Sequence, residues 1–101
     1  MAEMDEDFDG VHVTEQNQRD DGWTFMVELG YGDGLIEYLV DVDRAYWTKL
    51  TDRRIEPEEL VRVTFKFLLD KEPKELILKR FNLSDIQGYF PNYEIEIKRI
   101  L

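Results

Sequence analysis

The sequence predicts an α+β fold, with a three-stranded antiparallel β-meander in the N-terminal half packed against a central apolar helix and two or three shorter C-terminal helices. Three observations carry this prediction. Up to Asp43 apolar residues recur at every second position, the period of a half-buried strand. Beyond Asp43 they recur every third or fourth, the period of a helix facing a core. Between two of the alternating runs lies Gly30-Tyr31-Gly32-Asp33-Gly34, five turn-forming residues of hairpin length.

The elements follow in chain order. Val11 and Val13 alternate with His12 and Thr14, a short strand over Val11–Gln16. Arg19-Asp20-Asp21-Gly22 breaks the chain in a turn. Trp23, Phe25, Val27 and Leu29 then share one face of a strand, with Thr24, Met26 and Glu28 on the other. After the glycines, Ile36, Tyr38, Val40 and Val42 share a face, opposite Glu37, Asp41, Asp43, Leu35 and Leu39. Arg44 to Leu50 reads as a short helix or turn with Tyr46, Trp47 and Leu50 inward.

Pro57 suits the first position of a helix, and Glu58 and Glu59 oppose the positive end of its dipole. From there to Lys71 Leu60, Val61, Val63, Phe65, Phe67, Leu68 and Leu69 cover roughly two-thirds of the helix circumference. Glu59, Arg62, Lys66 and Asp70 form the polar stripe. A helix this apolar has to be covered on more than one side. Pro73 disfavours helical backbone at Glu72 and ends it. A further helix is expected over Lys74–Phe81, with Leu76, Ile77 and Phe81 inward and Glu75 paired to Lys79. Asn82 or Ser84 can cap one more turn through Ile86, stopped by Gly88. In the last segment Tyr93, Ile95 and Ile97 alternate like a strand, whereas Phe90, Tyr93, Ile97 and Ile100 have helical spacing. Pro91 and Glu94 at its start favour the helix.

The run Phe67-Leu68-Leu69-Asp70-Lys71-Glu72-Pro73-Lys74-Glu75-Leu76-Ile77-Leu78, followed by Tyr89-Phe90-Pro91-Asn92-Tyr93-Glu94, resembles a family of small uncharacterised prokaryotic proteins. That family carries an FLL-x-x-EP-K-E-x-IL segment and then YFP-x-[YF]-E. The resemblance spans about residues 50–97 and implies a compact prokaryotic domain. It brings no activity and no functional residue.

At 101 residues, 43% apolar and 13% aromatic, the chain has the size of one domain and material for a core without metal or disulfide. The expectation is a disordered acidic leader over residues 1–10 and a single globular domain over 11–101. Cysteine is absent, which excludes disulfides, thiolate zinc sites and thiol nucleophiles. The leader lacks the basic start and apolar run of a signal peptide. No apolar stretch approaches the ~20 residues of a membrane span. The expected location is therefore the cytoplasm, with no membrane partner.

The net charge of −10 is unevenly spread. Residues 1–21 hold eight acids and one base, whereas residues 22–101 hold fifteen acids and twelve bases. Such a leader repels nucleic acid, whose affinity rests on Lys and Arg contacts, so no nucleic-acid partner is expected.

No motif specifies a reaction. Asp5-x-Asp7-x-Asp9-Gly10 matches the first half of an EF-hand loop, but Gln16 stands where the bidentate Glu belongs and no entering helix fits before Asp5. Gly30-x-Gly32-x-Gly34 joins two strands, whereas phosphate-cradling glycines lead from a strand into a helix. Glu37, Asp41 and Asp43 project from one strand face on which neighbouring positions lie about 7 Å apart, too far for one ion without ligands from the adjacent strand. His12 is the only histidine and lies in the weakest strand. The pairs Arg53-Arg54, Lys79-Arg80 and Lys98-Arg99 each have acids nearby. No catalytic residue, metal ligand or cofactor is assigned.

The aromatic residues carry more information. Tyr46, Trp47, Tyr89, Phe90 and Tyr93 cluster in two short irregular regions and suit either the margin of a core or an anchoring surface. Three functional classes follow, in order of preference. The first is a small non-enzymatic interaction module, binding a protein or a second copy of itself through these rings. The second is a small-molecule-binding domain, enzymatic or not, and the third an acidic mimic of nucleic acid.

Overall fold

The period-two half of the chain becomes the antiparallel part of a sheet, in a computed structural model that describes residues 10–30 and 32–101. Strand β1 (Val11–Arg19) pairs with β2 (Gly22–Leu29) across the two-residue turn Asp20-Asp21, from Val11↔Leu29 to Arg19↔Gly22. Strand β3 (Ile36–Asp43) pairs with β2 from Gly22↔Asp43 to Leu29↔Ile36. Trp23, Phe25, Val27 and Leu29 are buried with Tyr38, Val40 and Val42, while Glu28, Glu37, Asp41 and Asp43 take the other face. A slip of one residue would turn the whole apolar set to solvent, which fixes the register. β1 runs three residues beyond its expected end at Gln16. Past Val13 it is exposed, and its register shifts between Glu15 and Asn17, the bulge with which an edge strand discourages further pairing.

The chain enters α1 (Arg44–Thr51) directly from β3. Trp47 packs edge-on against Trp23, with ring centroids 5.4 Å apart, and its indole nitrogen donates to the Ile55 carbonyl at 2.9 Å. Helix α2 (Pro57–Lys71) begins at its proline and ends before Glu72, as the sequence predicts. It buries Leu60, Val61, Phe65, Phe67 and Leu68. Two positions differ from the expected wheel. Leu69 is 37% exposed. Arg62, expected in the solvated stripe, is buried, and its guanidinium donates to the Val11 carbonyl at 2.6 Å. Where the helix crosses the start of β1, the long apolar stem of arginine fills space while its charged end satisfies a backbone acceptor.

The expected helix over Lys74–Phe81 does not form. A single 3-10 turn over Lys74–Leu76 is followed by extended chain and then by strand β4 (Arg80–Asn82), parallel to β3 with Val40 opposite Phe81. The sheet therefore has four strands, mixed, in the order β1-β2-β3-β4, in place of a three-stranded antiparallel meander. Competition for backbone and side-chain bonds explains the difference. The Tyr38 hydroxyl donates to the Lys74 carbonyl at 2.6 Å and ties the start of this segment to β3. The open edge of β3 offers Leu39 N–H, which donates to the Lys79 carbonyl at 2.8 Å. Asp41 accepts from the Arg80 guanidinium at 3.1 Å. A helix of about eight residues is marginal on its own, and these bonds to an existing edge outweigh it.

Asn82 accepts from the Ser84 backbone N–H at 3.0 Å and starts a 3-10 turn over Leu83–Asp85 that leads into α3 (Ile86–Tyr89). Gly88 lies inside this turn of helix and does not terminate it. The last element is helical, α4 (Tyr93–Arg99), with Tyr93 and Ile97 inward. Tyr93 and Thr64 on α2 share a hydrogen bond of 2.7 Å in the core. Among the described residues no buried side-chain polar atom lacks a partner, and no helix is long and apolar enough to cross a membrane.

Candidate functional site

The segment that leaves the expected helix builds a largely apolar concavity. When Pro73 stops α2, the chain makes one turn and runs extended past the end of that helix, so Leu76, Ile77 and Leu78 cannot all face one core. Ile77 is buried, while Leu76 is 67% and Leu78 57% exposed. On the far side α3 carries Ile86, buried, and Tyr89, 68% exposed. Between them lies a groove of about 430 Å³ lined by Leu68, Glu72, Leu76, Ile77, Leu78, Phe81, Asp85, Ile86, Tyr89 and Phe90. Its floor is rigidly backed. Phe81 packs on Phe65 with centroids 5.8 Å apart, and Phe90 meets Phe67 edge-on at 5.8 Å.

Of the five aromatic residues singled out from sequence, the structure brings two to this groove. Tyr89 stands at its rim and Phe90 in its wall. Tyr93 is fully buried and belongs to the core, where burial raises its phenol pKa above the usual range. Tyr46 and Trp47 lie half-buried on α1, away from the groove lining. The Tyr46 hydroxyl donates to Glu94 at 2.9 Å, and burial together with that bond raises its pKa. Trp47 is held by Trp23 and Ile55, with the Arg53 guanidinium 5.9 Å above its ring. Reading from sequence missed Leu76 and Leu78. The signal was present, because three successive apolar residues between Lys74-Glu75 and Lys79-Arg80 leave at least one exposed in any regular element.

The carboxylates and cations serve the fold. Asp41 accepts from Thr24 at 2.6 Å and from Arg80, and Asp43 accepts from the Asn82 amide at 3.2 Å. These bonds fasten β4 to the solvated face of the sheet. Among the described residues no group of three or more His, Asp or Glu side chains is placed to hold a metal ion. Asp5, Asp7 and Asp9, and with them the leader except Gly10, lie outside the described residues. His12 is exposed on β1. Gly30 and Gly32 take positive φ in the hairpin turn, and the Lys74 ammonium donates to the Gly34 carbonyl at 2.8 Å. A second, wider depression of about 830 Å³ runs past Asp20, Asp21, Asp43, Arg44, Thr48, Lys49 and Arg53. Arg44 crosses it, donating to the Asp20 carbonyl at 3.0 Å while stacked 4.3 Å above the Trp23 ring. That arginine ties the β1–β2 turn to α1.

Compared with protein-family models, with curated proteins and with solved structures, the chain matches none of them.

Proposed function

We propose that this chain is a small interaction module that takes up an apolar segment of a partner protein in the groove between the Leu76–Leu78 run and α3. One observation carries the reading. Leu76, Leu78 and Tyr89 stand 57–68% exposed around a floor of buried Leu68, Ile77 and Ile86. Apolar residues exposed together around an apolar floor offer a surface that an apolar partner segment can cover, whereas apolar residues exposed singly need no explanation. Tyrosine at the rim and phenylalanine in the wall suit it to anchor a partner side chain.

The groove volume also lies in the range of small-ligand sites, roughly 300–1,000 Å³. Such sites surround most of the ligand and aim several polar groups at it. Here the rim stands in solvent, and the charged lining consists of the two carboxylates of Glu72 and Asp85. A partner that brings its own apolar area fits this geometry better than a small polar metabolite.

The test is parallel affinity capture from an extract of the source cells with three baits. These are the wild type, Leu78→Asp/Tyr89→Asp, and Leu35→Asp, which alters an exposed leucine outside the groove. Circular dichroism verifies that each bait is folded. A protein retained by the wild type and Leu35→Asp but lost by the groove variant is the expected result. Equal retention by all three would overturn the proposal.

A further inference from the structure

We infer that the occupant of this groove is an amphipathic helix carrying lysine or arginine beside its apolar face, an inference that rests on the groove being an interaction site. Charge is the first argument. The charged residues lining the groove are Glu72 and Asp85, both acidic. Three neighbouring cations are held elsewhere. Lys71 faces Asp70 and Glu96, the Lys74 ammonium is on the Gly34 carbonyl, and Arg80 is held by Asp41 on the sheet. An apolar floor with an acidic rim complements an apolar stripe flanked by cations.

The backbone supplies the second argument. A bound strand needs free N–H and C=O groups along the site. Around this groove several are already engaged: Leu76 N–H donates to Pro73, Ile77 N–H to Lys74 and Phe90 N–H to Ile86. At those positions recognition runs through side chains. A helix arrives with its own backbone bonds satisfied and offers apolar residues at spacings of three and four to such a groove.

The same charges disfavour a second copy of the chain. A twofold contact through this face would bring Glu72 and Asp85 of both copies into one desolvating interface, where like charges repel.

The probes are a synthetic amphipathic helix of leucine and lysine and its counterpart with glutamate at every lysine position. Affinities are measured by isothermal titration calorimetry against the full chain at low and at physiological salt. The lysine peptide should bind more tightly, with a preference that narrows as salt screens the rim. Glu72→Lys/Asp85→Lys should weaken it by about tenfold, since two rim attractions become repulsions. Glu37→Lys/Glu58→Lys, which changes the net charge equally at exposed positions outside the groove, should weaken it by less than about threefold. Equal affinity for the two peptides, or equal loss from the two charge reversals, would overturn the basic-helix inference and leave the groove standing. A concentration-dependent dimer abolished by Leu78→Asp/Tyr89→Asp would also overturn it, in favour of a second copy. Failure of both peptides to bind, or undiminished binding by that groove variant, would remove the groove reading itself.

Discussion

The hydrogen bond between Thr64 and Tyr93 joins α2 to α4 at the centre of the core, and a double-mutant cycle gives its contribution a sharp test. Both residues are fully buried, and the two oxygens lie 2.7 Å apart. Tyr93→Phe removes the phenol oxygen and leaves the threonine hydroxyl, which can turn to the carbonyl four residues earlier in its helix. The expected cost is therefore about 1 kcal/mol. Thr64→Val takes its partner from a buried phenol, at a cost of about 2 kcal/mol. In the double variant neither polar atom remains and the shape is nearly conserved, so the loss should return to about 1 kcal/mol. Additivity would instead give about 3 kcal/mol, and the coupling is the difference, about 2 kcal/mol. Urea denaturation measures all four corners, provided the slope is unchanged. In thermal melts Thr64→Val should lower Tm by about 8–16 °C for a domain of this size. Additive single effects, within about 0.5 kcal/mol, would show that the bond does not couple the two helices and would refute the reasoning.

Four further outcomes follow from the same structure. Burial raises the phenols of Tyr93, Tyr46 and Tyr38 above the ordinary 10.0, with help from Glu94 at Tyr46 and Glu75 at Tyr38. Each holds its proton more tightly folded than unfolded, so stability should be full below pH 10 and fall above it; tyrosinate absorbance from these residues should rise together with loss of far-ultraviolet circular dichroism, and their ionisation in an intact fold would refute it. Gly30→Ala should cost about 1–3 kcal/mol in chemical denaturation, because Gly30 has φ +93° and an added Cβ would lie 2.7 Å from the Gly34 carbonyl oxygen. Gly88→Ala, with open space around the new Cβ, should instead be neutral or stabilising by up to about 1 kcal/mol. Arg62→Met keeps much of the buried stem but removes the donor to the Val11 carbonyl, and should lower stability by about 1–3 kcal/mol with hydrogen-exchange protection lost first at the start of β1.

What the sequence disclosed and what it hid divide along a physical line. Alternation disclosed the faces of β2 and β3 because one side of that hairpin is buried along its whole length. Pro57 and Pro73 disclosed both ends of α2 through local sterics, which need no knowledge of the rest of the fold. Strand β4 was hidden, because its three residues take their conformation from the edge of β3, about forty positions earlier, and not from their own pattern. Leu76, Ile77 and Phe81 fit a helical face equally well, and the Tyr38 hydroxyl, the Leu39 N–H and the Asp41 carboxylate decide between the two. Arg62 was hidden for a similar reason. Its polar label places it in solvent, yet the carbonyl it serves belongs to a strand fifty-one positions away.

The candidate site was half legible for the same cause. Tyr89 and Phe90 announced themselves by type and clustering, and the same criterion drew in Tyr93, which the core absorbs. The Leu76-Ile77-Leu78 triplet signalled that an apolar residue would be exposed, but that Leu76 and Leu78 are the ones follows from the 3-10 turn and extended chain that bonds to β3 impose there. The bonds that suppress the Lys74–Phe81 helix therefore also create the groove. Removing the Tyr38 hydroxyl or the Asp41 carboxylate would loosen one wall while leaving the floor of Leu68 and Ile86 in place. On the reading proposed above, those two side chains act as positioning residues for a partner they do not touch. Their substitution should weaken binding of the leucine–lysine helix without altering its preference over the glutamate counterpart, because Glu72 and Asp85, which set that preference, remain.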